Sequence, residues 1–191
     1  MDTKAFATLG VTLFVAFAGF AFAYWNNLRL SLRKDRLDRV SQQLGELYGP
    51  LLAINTTKEA TWDLFRERYR PGYQYFWEAG EEPPSEDEAK AWRLWMTEVF
   101  MPLNRQMVDV IRSRADLLDD AEIPKPLLDV CAHVASYEVV LKRWEAGDFT
   151  ENVALANFPR KDELQFLSDR FIRLKREQQK LLSRRPSSAA P

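Results

Sequence analysis

The sequence predicts an all-α protein, an apolar N-terminal transmembrane helix followed by a helical bundle of four or five helices. Three observations predict it. Residues Ala5 to Tyr24 run for twenty positions without a charge, and at about 1.5 Å per residue such a helix spans about 30 Å, the thickness of a bilayer's hydrocarbon core. Apolar residues in the rest of the chain recur at spacings of three and four, and no stretch shows sustained alternation with β-branched residues. Glycine is scarce, seven in 191 residues, and none of it forms a Gly-rich loop.

The first element is a membrane anchor over residues 1–25. Nine Phe, Leu and Val residues lie between Phe6 and Phe22, contributing about −3 to −5 kcal/mol to insertion before the small and polar residues take their share. Ala21-Phe22-Ala23 also fits the small-x-small pattern that precedes signal-peptide cleavage, which would release a secreted or periplasmic helical protein. Against cleavage, the apolar run exceeds the usual ~7–15 residues of a signal peptide. The segment before the run holds Asp2 as well as Lys4. Arg29, Arg33, Lys34, Arg36 and Arg39 follow the anchor. This bias predicts a single-pass inner-membrane protein with its N-terminus outside and its body in the cytoplasm. Tyr24 and Trp25 suit the interfacial aromatic belt.

On the anchor helix, Ala5, Thr8, Thr12, Ala16, Gly19 and Ala23 recur at spacings of three and four and fall within an arc of about 80°. Small residues let helix backbones approach closely in lipid, so this face predicts a homo-oligomer seam. The same register continues through a juxtamembrane helix, residues 26–48. There Leu30, Leu37, Leu44 and Leu51 alternate with Val40, Leu47 and Ile54, and Asn26 and Arg33 interrupt the seam with polar groups. Gly49-Pro50 is expected to break or kink the helix after Tyr48.

The cytoplasmic domain, residues 49–183, begins with a helix to about Arg70 that carries Trp62, Phe65 and Tyr69, ended by Pro71-Gly72. Tyr73 to Trp77 is an aromatic cluster available for a surface contact, followed by the acidic loop Glu81-Glu82-Pro83-Pro84. Ser85 and Glu88 form a capping box. The helix it starts runs to about Arg114, its stripe Trp92, Trp95, Met96, Val99, Leu103, Met107, Val110 and Ile111, with a kink at Pro102. After a turn at Asp119–Pro124 the next helix covers about Pro126 to Ala146, with Gly147 as its stop. A last helix starts near Pro159, and residues 184–191 form a disordered tail.

Composition excludes most catalytic classes. One Cys and one His rule out most zinc chemistry and any internal disulfide. His133 has no Glu-x-x-His partner, which removes the di-iron bundle, and no Gly-x-Ser-x-Gly supports a hydrolase. His133 therefore reads as a packed or hydrogen-bonded helix residue. Scattered carboxylates such as Glu138 and Glu145 offer no recognisable site. No catalytic residue, cofactor or metal is expected. A net charge of −1 speaks against nucleic acid as a partner of the whole chain. The last helix is locally basic, with Arg170, Arg173, Lys175, Arg176 and Lys180, and such a surface suits an anionic leaflet or an acidic protein partner.

Three stretches carry a resemblance: Leu47-Tyr48-Gly49-Pro50-Leu51-Leu52-Ala53, Val99-Phe100-Met101-Pro102-Leu103-Asn104, and Cys131-Ala132-His133-Val134 continuing to Lys142-Arg143-Trp144-Glu145-Ala146-Gly147-Asp148. With Asn157-Phe158-Pro159 they resemble a group of small uncharacterised bacterial proteins with one N-terminal span and a helical body. In size and plan, though not in motif, the chain also resembles the membrane accessory proteins of RNA-targeting CRISPR systems. Those carry a span and a HEPN-like helical domain, and that likeness implies an oligomeric pore in antiviral defence. The Arg-x4–6-His motif of HEPN nucleases is absent, since Pro126, Leu127 and Leu128 hold the positions where its arginine would stand. The expectation is a non-enzymatic, membrane-anchored protein acting through self-association and protein partners.

Overall fold

The computed structural model describes residues 3–73, 76–77, 82–120 and 122–183, with the backbone alone for 3–11, 160–162 and 164. Among these residues there are six α-helices and no strand, which is the all-α bundle that the periodicity predicts. The chain divides into two compact units, Met1–Ser41 with Glu177–Pro191, and Gln42–Arg176.

The first unit is dominated by α1 (Thr3–Gln42). From Leu13 to Trp25 this helix carries eight large apolar side chains, each at least 61% exposed. Among the described residues no helix is long and apolar enough to cross a membrane. The side chains of Ala5 to Val11, which open the expected span, lie outside the described residues, as do those of Ala5 and Thr8 of the seam. The end of the last helix, α6 (Arg160–Ser183), runs antiparallel to α1. Arg33 donates through Nε to the Leu181 carbonyl at 2.9 Å, and its Nη2 donates to the same oxygen. Arg36 meets Glu177 at 2.6 Å, and Gln178 donates to the Ser41 hydroxyl at 3.1 Å. A cation on the last carbonyls of a helix complements its dipole. The expected tail at 184–191 lies outside the described residues.

The second unit packs α2 (Gly49–Tyr69), α3 (Glu86–Trp95), α4 (Met101–Ser113), α5 (Lys125–Glu145) and the first part of α6. Of the break or kink expected at Gly49-Pro50, the break does not occur. A π-helical turn, Gln43–Tyr48, carries the chain onward into α2, and the Gly49 amide donates to the Leu44 carbonyl five residues back. Proline lacks an amide proton and its ring collides with the carbonyl four residues earlier; one widened turn relieves both without ending the helix. Only glycine fits at the seam of that turn, because a Cβ on Gly49 would lie 2.3 Å from the Leu44 carbonyl oxygen. The same device precedes Pro102. The π turn Met96–Phe100 joins α3 to α4, and the Met101 amide donates to the Met96 carbonyl.

The widened turn shifts the buried stripe. Trp92, Met96, Met107 and Ile111 are buried as the spacing predicts, but Trp95, Val99, Leu103 and Val110 are only half-buried. Phe100, Met101, Asn104 and Val108 take the inner face instead. The helix ends follow their local chemistry. The Ser85 amide donates to the Glu88 carboxylate at 2.6 Å while the Glu88 amide donates to the Ser85 hydroxyl at 3.3 Å. At the end of α5 the amides of Gly147 and Asp148 donate to the carbonyls of Trp144 and Arg143, both at 2.9 Å, with Gly147 at φ 80°. That crossed pair is a Schellman cap, for which glycine alone is unstrained.

Phe65 sits at the centre of an aromatic core, with Tyr69, Phe76, Trp92, Trp95 and Phe100 within 4.9–6.1 Å of it, ring to ring. The cluster assigned above to a surface contact contributes here: Phe76 is 1% exposed and stacks on Trp92 at 4.9 Å and 14°.

Candidate functional site

The inner face of α2 reads Leu51, Asn55, Lys58, Trp62 and Phe65, spaced four, three, four and three residues apart and all buried. Two polar residues therefore stand in an apolar stripe. The Lys58 ammonium lies 2.9 Å from the centroid of the Phe158 ring and 3.7 Å from a carboxylate oxygen of Glu163 on α6. Glu163 is fully buried, and that burial raises its pKa to about 7 against the opposing pull of Lys58. A buried pair of this kind is costly in desolvation, and removing one partner costs more than removing both.

An irregular strap connects α5 to α6 across this region. Its backbone carbonyls, which no helix or sheet can satisfy, accept from side chains of the helices beneath. Trp92 Nε1 and Tyr137 Oη donate to the Asn152 carbonyl at 3.0 and 2.9 Å, and Trp144 Nε1 donates to the Glu151 carbonyl at 2.8 Å. His133 Nδ1 lies 2.7 Å from the Ala156 carbonyl. Burial is the largest influence on this imidazole and lowers its pKa, so the neutral ring donates from Nδ1 and keeps a lone pair on Nε2. The Phe158 ring stands edge-on to it, with centroids 5.3 Å apart at 89°.

Between the strap and α2, α3, α4 and α5 lies a cavity of about 530 Å³. Its walls are chiefly rings, from Trp62, Phe76, Trp77, Trp92, Phe100 and Phe158. Lys58, His133 and Tyr137 bring polar groups to it, and so does Asn104. Asn104 is 3% exposed; among the described residues its Nδ2 reaches nothing better than the Met101 sulfur at 4.0 Å, and its Oδ1 has no hydrogen-bond partner.

This site was not expected from the sequence, apart from the placement of His133 as a hydrogen-bonded helix residue. The signal for Lys58 and Asn55 was their position in the α2 stripe. Asn104 carried no such signal, since only the π turn rotates it inward.

The residues singled out from the sequence lie elsewhere. Thr12, Ala16, Gly19, Ala23 and Asn26 are exposed along α1. Arg33 shares that register but is engaged with Leu181. In the basic set, Arg170 pairs with Asp120 at 2.8 Å and with Asp119 at 3.7 Å, and Arg173 pairs with Asp119 at 3.0 Å. Lys175, Arg176 and Lys180 are exposed. Glu138 forms a two-point pair with Arg105 at 2.7 and 2.9 Å. Among the described residues no group of three or more His, Cys, Asp or Glu is placed to hold a metal ion. Compared with known proteins, the chain matches no family model, no curated protein and no solved structure.

Proposed function

We propose that the chain is a non-enzymatic inner-membrane protein that acts by self-association and by binding protein partners. In this reading α1 is its tether, the N-terminus is outside and the helical domain is in the cytoplasm. One observation carries the reading: the eight large side chains of Leu13–Trp25 are exposed on an isolated chain, and an apolar surface of that kind calls for lipid or another chain to cover it. The uncharged run from Ala5 supplies the rest of a span's length. Thr12, Ala16, Gly19 and Ala23 form the seam through which copies associate. A Cβ on Gly19 would meet nothing within 4 Å, so a larger residue there leaves the single chain undisturbed and obstructs only a second helix. Lys175, Arg176 and Lys180 offer cations to an acidic partner or leaflet.

The test is the oligomeric state of the full chain in lipid nanodiscs, beside its Ala16→Ile, Gly19→Ile variant. The expected result is a defined oligomer that the variant dissociates by about tenfold or more in its association constant, as loss of close helix packing implies. A wild type that leaves membranes in alkaline carbonate would overturn the tether, and the cleaved, exported form would take its place. The exposed polar Asn26 on the same face favours one second reading, an oligomeric pore acting in antiviral defence. Release of an entrapped dye from vesicles would select it.

A further inference from the structure

We propose that the cavity in the helical domain binds a planar heteroaromatic molecule presenting a hydrogen-bond donor and an acceptor on one edge, as an aminopurine does, with Asn104 reading that edge. The inference holds whether or not the chain is tethered to a membrane.

Size sets the class first. At about 530 Å³ the cavity falls in the range of small-molecule sites, which combine apolar walls with a few placed polar groups. The walls favour a flat ligand. Trp62 meets Trp92 edge-on at 5.9 Å and 82°, and meets Phe100 at 5.9 Å and 65°, so indole and phenyl rings meet at steep angles around the space. Flat π-systems stack on such faces in a manner indifferent to their substituents.

Asn104 then selects among flat molecules. An amide with an unpartnered oxygen in an apolar interior is destabilising, and a leucine of similar volume would pack there without that penalty. The π turn at Met96–Phe100 brings this amide onto the inner face. Its two ends, one acceptor and one donor, match the complementary pair on the edge of an aminopurine, the pairing by which asparagine reads adenine. The lone pair on His133 Nε2 adds a second acceptor to the lining. Charge argues for a base rather than a nucleotide. Glu59 lines the cavity together with Lys58 and offsets its charge, and burial keeps His133 neutral, which disfavours a phosphate. Val153 and Asn157 line the cavity and are themselves exposed, so a path from solvent exists.

The experiment is calorimetric titration of the full chain in detergent with adenine, which stays out of micelles, and with purine, which lacks the amino donor. Adenine is expected to bind, and purine at least about fivefold more weakly, the loss that one unpaired hydrogen bond implies. Asn104→Leu is expected to weaken adenine about tenfold and to bring the two ligands level, while thermal unfolding shows a domain no less stable than wild type. Met96→Trp, which fills the cavity from the π turn, is expected to abolish both. The proposal is overturned if adenine does not bind the wild type, if purine binds equally well, or if either variant leaves the adenine affinity unchanged.

Discussion

Glu163 and Lys58 set how the helical domain responds to pH. Burial pushes the pKa of the Glu163 carboxyl up to about 7 in the folded state, against an ordinary value of about 4.3. The folded state therefore holds this proton more tightly than the unfolded chain, and stability present in acid is lost as pH rises towards neutrality. His133 acts in the opposite sense: its depressed folded value adds stability above its ordinary range that is lost on acidification. Glu163→Gln removes the first effect and keeps the second. Between about pH 5 and pH 8 the wild type is expected to lose stability relative to this variant, as followed by thermal unfolding at each pH. Parallel curves would mean that the carboxylate is ionised throughout. Lys58 is the charged neighbour that acts on both groups, lowering each, and Glu59 raises Glu163 further.

At the scale of elements, the two π turns decide the helix faces. Gly49→Ala places a Cβ at 2.3 Å from the Leu44 carbonyl, and the turn must either shift or close. The expected cost is about 1–3 kcal/mol, the range for overpacked sites, read as a lowered midpoint in urea with an unchanged slope. If Gly49→Ala is neutral, the turn is softer than its geometry suggests. This is also where sequence reading reaches its limit. The capping box at Ser85, the stop at Gly147 and the helices of Trp62 and Tyr137 were legible because each rests on chemistry local to a few residues. The inner face of α4 was not legible, because nothing in the sequence says that a π turn precedes Pro102 and moves the face along by one residue. An unbroken α-helical spacing therefore assigns Val99 and Leu103 to the stripe that Phe100 and Asn104 occupy. The pair Lys58–Glu163 was half legible: Lys58 stood in an apolar stripe, but its partner lies more than a hundred residues away on an element whose packing no local signal specifies.

For the whole molecule, the end of α6 is held to α1 by a few polar contacts: Arg33 on the Leu181 carbonyl, Arg36 on Glu177, and Gln178 on Ser41. These are half-exposed interactions, each worth about 1 kcal/mol or less. Replacing Arg33 and Arg36 together by alanine is expected to lower the hydrogen-exchange protection of residues 177–183 by about tenfold, with residues 42–176 unchanged. Equal loss of protection in both regions would show that the two units do not open separately. The π turn at Met96–Phe100 has a consequence of another kind. It holds one residue more than an α-helical turn would, so the number of residues in the chain is itself a structural parameter. Removing one residue there would close the turn to an ordinary α turn and leave Asn104 facing the rings, because the extra residue is what carries position 104 into the place that position 103 would hold in a continuous α-helix. The inner face of this domain is thus written in residue count as well as residue identity: one residue fewer with an α turn gives the same face, whereas one residue more that no further widening absorbs would rotate Asn104 away by about 100°.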